Sequence, residues 1–216
     1  MREDVTRSIQ QSYDLIATEY ARRLFNELEH KPFDRAMLDR FANEVRGRGD
    51  VCDLGCGPGH VARYLRDANV AVFGLDLSPR MIEEARRLNP GIPFRKGDML
   101  ALPLADETLA GIVAFYAFVN LPLDLLPRVF REMARVLQPG AVLLLAFHIG
   151  DETLHEDELW GHAISMDFFL FPPAAIRQRL EEAGLHIEKS LERLPYPPAV
   201  EYQSRRAYIV ARKPLM

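Results

Sequence analysis

Three features of the chain predict an α/β protein built on a mostly parallel sheet behind an N-terminal helical cap. From residue 51 onward, short apolar runs alternate with longer amphipathic segments, the pattern of βαβ units. A glycine-rich turn follows the first of those runs directly, where such units open a helix. Residues 6–45 carry helical periodicity alone. At 216 residues the chain has the length of one domain with an appendage. Residues 1–48 are therefore expected to form the cap and 49–216 the core, the two making one compact unit.

In the cap, Ile9, Tyr13, Ile16, Tyr20 and Leu24 fall on one helical stripe, Lys31-Pro32 breaks it, and a second helix runs through Met37, Leu38, Phe41 and Val45. Residues 51–54 read as the first strand, followed by the glycine turn and a helix through Val61, Ala62, Tyr64 and Leu65. Residues 70–75 give the second strand. Ser78 and Pro79 then supply an N-cap and a proline at the first helical position, opening a helix through Met81, Ile82 and Ala85 that ends before Asn89-Pro90-Gly91. Residues 92–96 and 109–115 read as the third and fourth strands, 126–137 as a helix closed by Pro139-Gly140, and 141–148 as a fifth strand buried on both faces. There the alternation stops. Residues 149–171 are irregular, acidic and then aromatic, and read as a loop or lid. A helix over 174–183 ends at Gly184, and 185–194 and 207–211 read as two last strands suited to antiparallel pairing.

Lys and Arg number 27 against 31 Asp and Glu, a balance that supplies no footprint for gripping a phosphate backbone, so nucleic acid is a disfavoured partner. The longest apolar run, 141–147, is too short to cross a bilayer, and the N-terminus lacks an apolar core for a signal peptide. No membrane partner is expected. Cys52 and Cys56 occupy a strand end and the glycine turn, a poor geometry for bridging, so reduced thiols and a cytoplasmic location are expected. His155 and His162 stand seven apart beside Glu156, Asp157 and Glu158, a spacing that fits neither a zinc helix nor a finger, and no metal is expected.

The motif richest in chemistry is Val51-Cys52-Asp53-Leu54-Gly55-Cys56-Gly57-Pro58-Gly59-His60. Glycine permits positive φ in a tight turn and lets backbone approach a ligand beside a helix N-terminus. Asp53, Asp76 and Asp98 close three successive strands, lining the crevice where open α/β sheets bind ligands, and Asp76 stands where such units hold ribose hydroxyls. The turn is G-x-G-x-G, with the third glycine one position early for a pyrophosphate site, and Asp53 would repel a pyrophosphate while attracting the ammonium of an amino acid. A cationic sulfonium nucleoside with an amino-acid tail suits these residues better than a dinucleotide.

With this turn, its spaced acids and the aromatic helix Tyr13-Asp14-Leu15-Ile16-Ala17-Thr18-Glu19-Tyr20, the sequence resembles a class I S-adenosylmethionine-dependent methyltransferase of the broad small-molecule group. The resemblance runs from Tyr13 to Lys213. It implies a Rossmann-like sheet of seven mostly parallel strands with an antiparallel last strand, and S-adenosylmethionine as cofactor, leaving as S-adenosylhomocysteine. It further implies that Asp53, Gly55, Cys56 and Gly57 surround the methionine moiety and that Asp76 accepts the ribose hydroxyls. Leu77 and Met81 would flank adenine, Asp98 would take its amino group beside Gly97 and Met99, Tyr13 and Tyr20 would close the site, and Phe115, Tyr116 and Ala117 would face the methionine and substrate side. Two positions depart from many relatives: Leu109-Ala110 stands where Phe-Asp is common, and Asn120 where a His is common.

Methyl transfer needs an aligned nucleophile, and a base only when that nucleophile must lose a proton. His148, at the end of the fifth strand, and Tyr116 are the leading candidate catalytic groups, with His155, His162 and Asp167 behind them. Phe115-Tyr116-Ala117-Phe118 replaces the Asn-Pro-Pro-aromatic motif of nucleic-acid amino methylases, and both thiols belong to the turn, so a small-molecule O, N or other nucleophile is the expected acceptor. The protein is expected to act as a monomer or homodimer. A nicotinamide-dependent reductase and a non-catalytic adenosylmethionine-binding protein are the alternatives.

Overall fold

The computed structural model describes residues 2–215, so the outer ends of the expected cap and core, Met1 and Met216, lie outside the described residues. Its strands are β1 (Val51–Leu54), β2 (Val72–Asp76), β3 (Phe94–Lys96), β4 (Leu109–Phe115), β5 (Leu137–His148), β6 (Thr153–Leu159), β7 (His162–Phe169), β8 (His186–Arg193) and β9 (Arg206–Arg212). Its α-helices are α1 (Arg2–Leu24), α2 (Pro32–Val45), α3 (His60–Asp67), α4 (Pro79–Leu88), α5 (Leu126–Val136) and α6 (Pro173–Glu182). A 3-10 turn, Glu27–His30, separates α1 from α2.

Seven strands form one sheet in the order β3-β2-β1-β4-β5-β9-β8. β1 to β5 pair parallel, and β9 enters antiparallel between β5 and β8. This is the Rossmann-like architecture expected from the sequence. It follows from β5, which alternates its burial between two layers. Leu143, Leu145 and Phe147 pack with Val129, Phe130 and Met133 of α5 and Ile176 and Leu180 of α6, while Val142, Leu144 and Ala146 pack with Met37, Leu38 and Phe41 of α2 and Leu65 of α3. Burial on both faces explains its unbroken apolar run. A Cβ on Gly111 of β4 would lie 2.9 Å from Phe41 and from Val45, so glycine there lets α2 cross close to the sheet.

Three boundaries shift for local reasons. The Val70 N–H donates to the Leu65 carbonyl, which ties Val70 to the end of α3, and β2 begins at Val72. The Ile92 N–H likewise closes a turn on Asn89, so β3 begins at Phe94. Leu137 leaves α5 straight into β5, pairing with Leu109 across Pro139-Gly140.

The larger correction concerns residues 149–171, within which 153–169 form a β-hairpin and not an irregular loop. β6 and β7 pair antiparallel with Leu159 opposite His162, and the two connecting residues, Trp160 and Gly161, both have positive φ, 55° and 85°. Two left-handed residues match the twist of a two-residue hairpin. β7 buries Ile164 and Met166 against Ile16 and Ala17 of α1 and Met81 of α4. α1 is thus held between the hairpin and α4. Asp14 latches it to the start of α4, accepting from the Ser78 hydroxyl at 2.5 Å and the Arg80 N–H at 3.2 Å. The Ser78 Oγ in turn caps α4 by accepting from the Met81 N–H at 3.0 Å.

Candidate functional site

The carboxyl ends of β1, β2, β3 and β4 open on a cleft of about 870 Å³, counted to its mouth, over which α1 lies. Its floor is the glycine turn. Gly55, Gly57 and Gly59 have φ of 69°, 50° and 80°, and the N–H groups of Gly55 and Cys56 both donate to the Leu75 carbonyl at the end of β2. A Cβ on Gly55 would stand 2.5 Å from that of Ala117, so this turn excludes any side chain for both conformational and steric reasons.

Twelve of the thirteen residues expected to bind a cofactor line this one cleft. Tyr13 and Tyr20 reach it from α1, and Gly55, Cys56 and Gly57 from the turn. Asp76 and Leu77 enter from the end of β2 and Met81 from α4. Gly97, Asp98 and Met99 enter from the end of β3 and Phe115 from the end of β4. Asp76 braces the turn: its carboxylate accepts from the Gly57 N–H at 2.9 Å and the Ser78 N–H at 2.8 Å. Burial raises its pKa to about 6, against those two bonds. Asp98 accepts from the Leu100 N–H at 2.8 Å.

Asp53 is the thirteenth, and it stands elsewhere. It is 2% exposed, lies off the cleft wall, and accepts from the Ala62 N–H at 2.9 Å in the first turn of α3. Gly59 precedes that helix without a side chain to cap it, so the carboxylate beneath serves the orphan donor instead. Burial pushes Asp53 up to about 7, with His60 pulling the other way. It stands under the turn, bonded to the start of α3.

Of the candidate catalytic groups, Tyr116 lines the cleft and His148 does not. Tyr116 has φ of 55°, and its hydroxyl faces Asp34 and Tyr208, each at 3.4 Å. Burial and then Asp34 drive its pKa well above the usual phenol value. The His148 ring lies 5.1 Å behind the Tyr116 ring and its Nδ1 meets the Ser204 hydroxyl at 2.8 Å. Burial, then Arg206 and Lys31, lower the His148 pKa to about 3. Neither group is poised as a base at neutral pH, because one holds its proton and the other cannot retain one.

Behind Tyr116 lies a buried ionic network absent from the sequence reading. Arg193 bonds Asp34 at 3.0 Å and also Glu201, which faces Arg206 at 3.6 Å and Lys31 at 3.8 Å. Lys31 continues to Glu27 at 2.6 Å, and Glu27 to His60 at 3.0 Å, where the network reaches the cleft wall. Asn120, also on the wall, joins the cap to the hairpin: it accepts from the Tyr13 hydroxyl at 2.7 Å and donates to the Asp167 carbonyl at 2.7 Å. The wall includes Thr6, Ile9, Glu27, His60 and Leu121 besides. His60 follows the glycine turn directly and was findable there; Glu27 sits in a helix break that carries no motif.

His155 meets Asp167 at 2.6 Å and Asp157 at 3.2 Å on the exposed hairpin, and no group of three or more His, Cys, Asp or Glu suited to a metal ion occurs among the described residues. Among those residues, too, no helix is long and apolar enough to cross a membrane. Cys52 and Cys56 are free, buried thiols.

Residues 51–140 match a family model described as a methyltransferase domain. Malonyl-[acyl-carrier protein] O-methyltransferase of Pectobacterium atrosepticum is 35% identical over 57% of this chain and 54% of its own length. Trans-aconitate 2-methyltransferase of Methylobacterium nodulans is 41% identical over 43% of this chain and 36% of its own. The chain spans little more than half the length of the first curated relatives it matches. The solved DhpI–SAH complex superposes with a TM-score of 0.74 at 21% identity, over 97% of both chains, and so shares the fold along the whole chain.

Proposed function

From its place among the class I S-adenosylmethionine-dependent methyltransferases, to which the chain belongs, we propose that it methylates a carboxylate oxygen of a small organic acid. The alternatives of a nicotinamide reductase and a non-catalytic binder are not favoured, since the methyltransferase match covers the glycine turn and all three strand-end acids.

The residues fit the cofactor. The cleft offers Asp76 at the end of β2, Asp98 just past the end of β3, a glycine floor that a Cβ would fill, and a further acid, Glu27, on its wall. A buried His60 Nδ1 has no partner within the protein, so a polar ligand in the cleft offers one that the fold does not. On this reading Asp76 orients the ribose, and Leu77 and Met81 bracket the base. When bound, the cofactor supplies an electrophilic sulfonium methyl. The chain's own task is to align an acceptor beside Phe115 and Tyr116 and to exclude water, for which the cap and hairpin are suited.

The observation that carries the acceptor class is the lack of a poised base at either candidate position. A carboxylate is ionised at neutral pH and needs no proton removed, whereas an alcohol or phenol does. The names of the two curated relatives, which act on malonyl and aconitate groups, agree with that choice. The test is a panel of mono-, di- and tricarboxylic acids beside phenols and amines, scored by S-adenosylhomocysteine release and mass spectrometry. Turnover of an acid to an alkali-labile methyl ester is expected, with His148→Ala within about threefold of the native rate. Turnover confined to phenols, lost in His148→Ala, would overturn the acceptor class.

A further inference from the structure

Asp53 does not line the cleft, which leaves the ammonium of the cofactor's amino-acid tail open to a partner that does. Another acid lines the cleft. Glu27 lies in the 3-10 turn between α1 and α2 and shares the wall with Tyr20, Gly57 and His60. The four are neighbours: a Cβ on Gly57 would lie 3.7 Å from the Tyr20 ring, Glu27 meets His60 at 3.0 Å, and Glu27 and Asp76 both act on the Tyr20 hydroxyl. Asp76 accepts from the Gly57 N–H at 2.9 Å beside this group, and Asp98 follows the end of β3.

The two acids also differ in charge state. Burial would raise the Glu27 carboxyl, but His60 and Lys31 overcome it and hold the group down to about 2, whereas Asp53 is pushed up to about 7. An ammonium is best met by a carboxylate that stays ionised in a low-dielectric site. Glu27 Oε1 takes His60 and Oε2 takes Lys31, and a carboxylate with about four lone-pair sites keeps room for a further donor.

We propose that Glu27, set in place by His60 and Lys31, binds the ammonium of the cofactor's amino-acid tail, the role that the sequence assigns to Asp53. This rests on the adenosylmethionine reading above. Asp53 then acts at one remove, holding the start of α3 and with it His60, the first residue of that helix.

The test is a binding cycle by calorimetry on the full chain, with S-adenosylhomocysteine, its deamino analogue, which lacks only the ammonium, and 5′-methylthioadenosine, which lacks the whole tail. Native protein should lose at least tenfold in affinity on removal of the ammonium. Glu27→Gln should bind S-adenosylhomocysteine at least tenfold more weakly, show less than a threefold difference between it and the deamino analogue, and bind methylthioadenosine within twofold of native. An undiminished ammonium effect in Glu27→Gln would overturn the proposal while leaving the cofactor reading standing. So would native protein indifferent to the ammonium, a result that needs no variant to fold. Native protein that binds none of the three would overturn both.

Discussion

On the glycine-turn side of Tyr116 the cleft is held chiefly by backbone, while behind Tyr116 the structure is held by charged side chains. The turn takes its shape from positive φ at three glycines and from N–H groups donating to Leu75 and Asp76, all within 22 residues of one another. The far side takes its shape from Arg193, Asp34, Glu201, Arg206 and Lys31, drawn from the start of α2 and the residue before it, the end of β8, the segment before β9 and the first residue of β9. Backbone sites tolerate side-chain change but not added bulk. Buried ion networks tolerate neither the loss of one partner nor a change of its reach. The two halves should therefore break in opposite ways.

The largest effect is expected behind Tyr116. Arg193 is 9% exposed and bonds Asp34 and Glu201, which are 1% and 2% exposed. Arg193→Met keeps much of the volume but removes the cation that bonds two buried carboxylates, leaving Glu201 only its longer contacts to Arg206 and Lys31, at a cost of about 3–5 kcal/mol. Urea unfolding measures it. A cost under about 1 kcal/mol would mean that apolar packing around Tyr208, and not the ions, holds this side.

Gly55→Ala tests the other side. The left-handed conformation costs an alanine roughly 1–2 kcal/mol, and the 2.5 Å approach to Ala117 adds overpacking of a similar size, so about 2–4 kcal/mol in all. The loss should divide between lower stability and weaker S-adenosylhomocysteine binding, by thermal scan and calorimetry. Native behaviour in both would show that the turn relaxes freely, contrary to a backbone-built floor.

The same contrast governs what was legible in the sequence. β1, the turn, α3, Ser78 and Asp76 are each defined within a few dozen consecutive residues, so spacing alone brings them to one strand edge. The pair Arg193–Asp34 spans 159 positions, and nothing local to either residue announces the other. Glu27 is unreadable because it sits in a helix break that carries no motif. The hairpin is a different case. Ile164, Met166 and Phe168 do alternate with Ala163, Ser165 and Asp167, but a bulky aromatic at a left-handed turn position hides the signal, since Trp160-Gly161 is far from the Asn-Gly expected there. Asp53 is the reverse case: its position was legible and its bond to the Ala62 N–H was not, because which way a strand-end carboxylate turns depends on an uncapped helix nearby.

Asp53 also gives the sides a contrast in pH. Its carboxyl rises from the ordinary aspartate value of about 3.9 to about 7 in the fold. A group raised on folding stabilises fully below the unfolded value, and that contribution is lost as pH climbs through the folded one. Between pH 4 and pH 8 native protein should therefore lose stability relative to Asp53→Asn, which keeps an acceptor for the Ala62 N–H, by about 1–3 kcal/mol. Parallel melting curves across that range give the difference directly. A constant gap would mean that Asp53 keeps an ordinary carboxyl in the fold and does not change its protonation on folding over this range.

The smallest effect is expected where the two sides meet over the cleft. Trp160, the single tryptophan of the chain, sits at the hairpin tip with its ring 5.9 Å from that of Tyr20 and under the Arg23 guanidinium at 5.2 Å. Tyr20 lines the cleft, and Trp160 reaches it only through Tyr20, so the indole steadies the wall without forming it. An edge-to-face aromatic pair contributes about 0.5–1.5 kcal/mol beyond its area. Part of this is offset, because Trp160 carries a left-handed backbone that a bulky residue adopts at a cost. Trp160→Ala should accordingly weaken S-adenosylhomocysteine by only two- to fivefold, mainly through faster release, while Trp160→Gly should recover hairpin stability without recovering affinity. In native protein the indole emission should respond to titration with the same ligand. An emission blind to the ligand, with affinity unchanged in Trp160→Ala, would detach the hairpin from the cofactor cleft and leave it a buttress for α1 alone.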